Sequence, residues 1–125
     1  MKEKTKEEVN NEIKKIGFDE DVVLQVLKGK TSTYRIRDHK LIIGDKVAFE
    51  NTQTGEIFGH AVITDIKRIK IKDINLKDSS HYKTYNTTEE LIAAFKLRNP
   101  DKNVTPETYA FIYTYEFTPA NFRKK

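Results

Sequence analysis

Between Lys30 and Arg37 the chain reads Lys-Thr-Ser-Thr-Tyr-Arg-Ile-Arg, which sets two threonines between a lysine and a pair of arginines. In an extended chain successive side chains point to opposite faces. Thr31, Thr33, Arg35 and Arg37 then share one face, and Ser32, Tyr34 and Ile36 share the other. Two arginines on one sheet face repel each other. Water relieves that repulsion, and so does an anion held between them. A guanidinium fork matches phosphate oxygens in bidentate fashion. The pair therefore reads either as a phosphate site or as two solvated arginines with Asp38 or Glu50 as partners. Lys30 follows Gly29 at a helix-to-strand junction. It is an ordinary surface lysine, a phosphate contact, or a base whose pKa burial lowers toward neutrality. Thr33 needs an adjacent base to act as a nucleophile. Without one, its hydroxyl hydrogen-bonds a ligand or the backbone.

A second basic tract holds Lys67, Arg68, Lys70, Lys72 and Lys77, with Ile66, Ile69, Ile71 and Ile74 among them. Alternation over 69–72 puts Lys70 and Lys72 on one face. Such a row can follow a phosphate backbone, with salt-sensitive binding, or it can guard a sheet edge against aggregation. His81, Tyr82 and Tyr85 precede a helix. Aromatic rings beside a basic cleft stack on splayed bases; the plainer role for Tyr82 and Tyr85 is packing under a loop. Phe111, Tyr113, Tyr115 and Phe117 share one face of a final strand and read as core, with the two tyrosines able to place hydroxyls at its rim.

Several chemistries are excluded. There are no cysteines, so disulfides, thiolate metal sites and cysteine nucleophiles are absent. This fits a reducing compartment. His39, His60 and His81 lack metal-ligand spacing, and no phosphate-binding loop, dinucleotide fingerprint or G-x-S-x-G elbow appears. Neither a metal nor a cofactor is expected. No apolar run approaches the ~18 residues a membrane helix needs, and the charged N-terminus lacks the apolar stretch of a secretory signal. A cytoplasmic protein without a membrane partner is expected. Lysine plus arginine numbers 23 against 19 acids, a net charge of +4 that suits a nucleic-acid partner without requiring one.

The elements that must position these residues fit one domain in 125 residues. Residues 1–11 read as a flexible or marginally helical segment, and 12–122 as the domain. A first strand near 12–18 competes with a longer helix through Val9, Ile13 and Ile16; the alternation of Ile16 and Phe18 around Gly17 favours the strand. Asp19 to Lys28 reads as a helix capped by Asp19, with Val22, Val23, Val26 and Leu27 as its stripe and Gly29 as its stop. Strands follow at 31–37, 46–49 and 57–66, separated by turns at Gly44-Asp45 and 51–55, with 66–74 half-buried and extended. Thr87 and Glu90 form a capping box for a helix from Thr88 to Arg98. Its face carries Leu91, Ala94, Phe95 and Arg98, widened by Ile92 and Leu97. The last strand runs from Tyr109 to Phe117. Short turns favour antiparallel pairing, and a closed or nearly closed barrel hides the sheet edges.

The stretch from Leu27 to Val47, with its Gly-Lys turn, its polar and basic strand and its Gly44-Asp45 turn, resembles the activating-signal-cointegrator homology (ASCH) family. Lys30, Thr33 and Arg35 fall on the K, E and R of a signature close to G-x-K-x-x-E-x-R. Thr33 stands where the signature has glutamate, and Lys28 where it has glycine. The resemblance runs over about residues 12 to 117. It implies an α+β, PUA-like, mostly antiparallel β-barrel with two or three flanking helices. It also implies an RNA- or nucleotide-binding module with a basic cleft beside Lys30–Arg37, in which Lys30, Thr33, Arg35, Arg37, Tyr82, Tyr85, Lys70 and Lys72 are the candidate contacts. One branch of the family deacetylates acetylated cytidine with a K-T-x-T-x-R strand, which Lys30 to Arg35 match. By that resemblance Lys30 is the base and Thr33 the nucleophile of a nucleoside amidohydrolase or, alternatively, of a ribonuclease. The branch's acid position is Thr84 here, so binding is favoured over catalysis. A barrel that binds a protein partner, of undetermined identity, is the third reading.

Overall fold

Ile16 and Phe18 are both buried on either side of Gly17, and their alternation is realised as strand β1 (Lys14–Phe18). The computed structural model describes residues 14–81 and 83–120. The expectations placed on residues 1–11, on Tyr82 and on the last two residues of the expected domain, 121–122, lie outside the described residues. After β1 come helix α1 (Glu20–Leu27), β2 (Ser32–Arg35), β3 (Lys46–Asn51), β4 (Ile57–Lys70), α2 (Thr88–Arg98) and β5 (Tyr109–Pro119). Short 3-10 turns occupy Ile71–Asp73 and Ser79–His81.

The strands form one five-stranded sheet in the order β1-β3-β4-β5-β2. Every pairing is antiparallel except that of β1 with β3. A parallel pair needs a long crossover, which α1, β2 and the following loop supply. The sheet curls into a half-barrel with two helices, an α+β arrangement. Among the described residues backbone pairing does not close it: β1 and β2 are its edges. Among the described residues no helix is long and apolar enough to cross a membrane.

β5 divides the interior. Tyr113 and Tyr115 pack with Ile16, Phe18, Phe49, Ile63 and the α1 valines, and Phe111 and Phe117 lean on the same cluster. Ala110, on the opposite face, joins Tyr34, Ile71, Tyr85, Leu91, Phe95 and Val104. Of the four alternating aromatics 111, 113, 115 and 117, Tyr113 and Tyr115 are therefore core and Phe111 and Phe117 are partly buried against it. Phe49 and Tyr115 meet edge-to-face, with centroids 4.9 Å apart, an arrangement the ring quadrupoles favour.

Five local expectations change. The β2 strand ends at Arg35, so Arg37 lies beyond the regular alternation. In α1 Val22, Val23 and Val26 are buried, but Leu27, the last helical residue, is half exposed. Asp19 occupies the N-cap position without a side-chain cap; its carboxylate instead accepts from the Thr52 hydroxyl and pairs with Arg98. The extended run ends at Lys70, where Ile71 turns inward in a 3-10 turn whose amides at Ile71 and Lys72 donate to the Thr108 and Pro106 carbonyls. The capping box of α2 does form. Thr87 Oγ1 accepts from the Glu90 amide at 3.2 Å, while Glu90 Oε1 reaches one residue further back to the Asn86 amide at 3.0 Å. Leu91 and Phe95 face inward, whereas Leu97 is largely exposed.

Candidate ligand cavity

The strand β2 is fixed from both sides. It pairs with β5 in register Ser32–Thr114 to Arg35–Phe111. At its start, the Tyr115 hydroxyl donates to the Lys30 carbonyl at 2.8 Å and the Tyr115 amide donates to the Thr31 carbonyl at 3.0 Å. The loop before α2 is stapled on the other side. The Thr31 amide donates to the Ser80 carbonyl at 2.8 Å, and the Ser32 and Ser80 hydroxyls are 2.9 Å apart. The Tyr34 hydroxyl donates to Asp78 Oδ2 at 2.7 Å, and the Tyr34 ring stacks on His81 with centroids 3.8 Å apart. Burial, and next the nearby Lys30 charge, lower the His81 pKa to about 4, so the ring is neutral at physiological pH.

Lys30 is 3% exposed. Its Nζ donates to the His81 carbonyl at 2.7 Å, and among the described residues no carboxylate forms an ion pair with it. Burial above all, then Arg35 and Arg98, bring its pKa down to about 7. An ammonium without a counter-ion is disfavoured in such a place. The lysine thus has the burial that a perturbed base requires.

Thr33 and Arg35 share a face, as alternation requires. Thr33 is 4% exposed, and its Oγ1 accepts from Arg35 Nε at 3.1 Å. Arg35 Nη2 reaches across to the Gly17 carbonyl at 3.0 Å, with the guanidinium 4.7 Å above the Phe18 ring. Burial, then Arg98, lower its pKa to about 10, and it stays charged at neutral pH.

These residues meet at a cavity of about 800 Å³ lined by β2, α1, His81, residues 83–85 and α2. Lys30, Thr33, Arg35, Arg37 and Tyr85 all line it. Tyr85 is buried and Arg37 exposed. The sequence reading did not single out Arg98, Lys83, His39 or Glu90 as cavity residues, yet they line it as well. Arg98 had a legible signal: it falls on the same α2 face as Leu91 and Phe95. It pairs with Asp19 at 3.3 Å, and both side chains are about half exposed. Thr84, at the position where the amidohydrolase branch has its acid, is also in the wall, and Glu90 supplies a carboxylate there.

Lys70 and Lys72 do not join this lining. Each lies 3.0 Å from a different oxygen of Glu107, and Arg68 covers the Tyr109 ring at 3.8 Å. Among the described residues no group of three histidine, aspartate or glutamate side chains could hold a metal ion.

At the level of sequence, neither a family model nor a curated protein matches this chain. Solved structures do resemble it. An Enterococcus faecalis protein, assigned to a family of unknown function, superposes with a TM-score of 0.62 at 12% identity, covering 82% of this chain and 72% of its own. The ASCH protein of Zymomonas mobilis gives a TM-score of 0.58 at 11% identity, over 86% of this chain and 72% of that one. The ASCH domain of Lactobacillus crispatus gives 0.54 at 9% identity, over 76% and 69%. At such identities the likeness is one of fold, and the fold is ASCH-like.

Proposed function

We propose that this ASCH-like domain binds RNA or a nucleotide in the cavity between β2 and α2. The observation that carries the reading is the convergence of Lys30, Arg35, Arg37 and Arg98 with Thr33 and Tyr85 around one concavity. Its volume, about 800 Å³, falls within the usual range for small-molecule sites. It fits one nucleotide and not a duplex. Arg37 and Arg98, the more exposed cations, take the phosphate; Thr33 and Tyr85 meet the base or sugar. On an RNA chain the occupant is an unpaired, splayed nucleotide. Such a role belongs to the cytoplasm, where RNA and nucleotides are found.

A titration of 5′-nucleoside monophosphates and short single-stranded RNA tests this. Saturable binding that weakens with salt, with little affinity for duplex RNA, is expected. Equal affinity for duplex and single strand would remove the cavity from the account.

One observation favours a second reading, hydrolysis of an acetylated nucleoside. Lys30 is buried in the wall that also carries Thr33, which is what a lysine base for a threonine nucleophile requires. Lys30 Nζ is bonded to the His81 carbonyl, and Thr33 Oγ1 to Arg35. Catalysis therefore needs a substrate to redirect these groups. Release of cytidine from acetylated cytidine, lost in Thr33→Ala, would promote this reading over simple binding.

A further inference from the structure

A lysine amine becomes a nucleophile when it is desolvated or set beside other cations, because both disfavour the protonated form. Lys30 meets both conditions. Its side chain is buried in the cavity wall, Arg35 and Arg98 stand in the same wall, and among the described residues no carboxylate forms an ion pair with it, Asp78 opposing the two arginines only weakly from further away. Its one hydrogen bond goes to the main-chain carbonyl of His81. That contact uses an N–H and leaves the nitrogen lone pair of the neutral amine unused. Ordinary buried lysines lie along apolar surface with the head group in water; this one keeps its head group inside, at a space large enough for a small molecule.

We propose that Lys30 is an imine-forming amine, which condenses with the carbonyl group of a small phosphorylated aldehyde or ketone held in the cavity. The phosphate part rests on the anion-binding reading above. The Nζ lone pair attacks the carbonyl carbon, and the carbonyl oxygen takes up a proton released by the amine, giving a carbinolamine. Loss of water then forms the carbon–nitrogen double bond. Nothing is oxidised or reduced, and water reverses the step. The lowered Lys30 pKa, about 7, supplies unprotonated amine at neutral pH. A surface lysine has only about one part in a thousand in that form.

The test uses pyridoxal 5′-phosphate as the probe aldehyde, borohydride to fix the imine, and peptide mass mapping of the wild-type chain. The expected result is a reduced adduct at Lys30, formed at least about tenfold faster than at any exposed lysine. Pyridoxal, which lacks the phosphate, should label Lys30 more slowly. Lys30→Met should remove the adduct; because mapping is done on the wild type, the test survives if that variant does not fold. Label spread over exposed lysines, with Lys30 unmodified, overturns the proposal. Nucleotide affinity measured on the same sample separates the two claims. Binding without an adduct at Lys30 defeats the imine and leaves the binding reading standing. An adduct at Lys30 formed no faster from the phosphorylated probe, and not suppressed by a nucleotide added before the borohydride, overturns the phosphorylated substrate proposed here and defeats the binding reading.

Discussion

Arg35 on one edge strand donates from Nη2 to the carbonyl of Gly17 on the opposite edge strand, at 3.0 Å. The curled sheet is left open by backbone pairing, and this side chain spans the gap. The same guanidinium lies over Phe18 and donates to Thr33. It therefore organises the floor of the cavity as much as it charges it. Arg35→Ala is expected to cost about 2 kcal/mol or more of stability, through a lost charged hydrogen bond and an unsatisfied partner. Arg35→Lys should restore little, because an ammonium cannot bridge and stack together. Urea denaturation measures both; an unchanged midpoint in Arg35→Ala would show that the span carries no load.

Stability should depend on pH through Lys30. Its folded pKa is lowered from 10.5 to about 7. Between those values the unfolded chain holds a proton that the native state has released, so stability rises with pH. Below the folded value both states are protonated and the burial penalty is felt in full. Above the unfolded value both are neutral and the penalty is gone. The unfolding free energy from urea titrations should climb from about pH 7 to about pH 9.5, by on the order of 1 kcal/mol per pH unit. Lys30→Met should flatten the climb; a climb of equal size in that variant would assign it to another group.

Gly59 has no room for a side chain. A Cβ there would lie 2.6 Å from the Thr118 carbonyl oxygen and against the Phe117 ring. A backbone atom paired across β4 and β5 cannot give way cheaply. Gly59→Ala should therefore lose roughly 1–3 kcal/mol, as overpacked sites do. A thermal unfolding midpoint equal to that of the wild type would contradict this close approach.

Periodicity made much of the fold legible. The alternation around Gly17, the valines of α1, the Thr87–Glu90 box and the β5 aromatics each became the element they imply. Periodicity does not record partners across the sheet. The parallel pairing of β1 with β3 and the open edges depend on long-range register, which no local pattern encodes. Within the site, Lys30, Thr33, Arg35, Arg37 and Tyr85 were legible as a cluster of types, and they do line one cavity. Burial separated them: Lys30 and Arg35 are anchored inward and Arg37 is exposed. Lys70 and Lys72 looked equivalent in sequence, but neither lines the cavity, and each lies 3.0 Å from Glu107, a residue distant along the chain. Arg98 joined the site because α2 brings its buried face against β2 and the loop, a juxtaposition only the folded chain makes.

In the proposed function one nucleotide unit occupies the space beside Thr33. Backbone amide shifts of the labelled protein, followed while a 5′-nucleoside monophosphate is added, test it most directly. Saturable shifts are expected at Thr33, Arg37, Tyr85 and Arg98, with Lys70, Lys72 and Tyr109 unmoved, and weaker saturation in Arg37→Ala. Shifts confined to the Lys70–Tyr109 surface, with the residues around Thr33 silent, would contradict it.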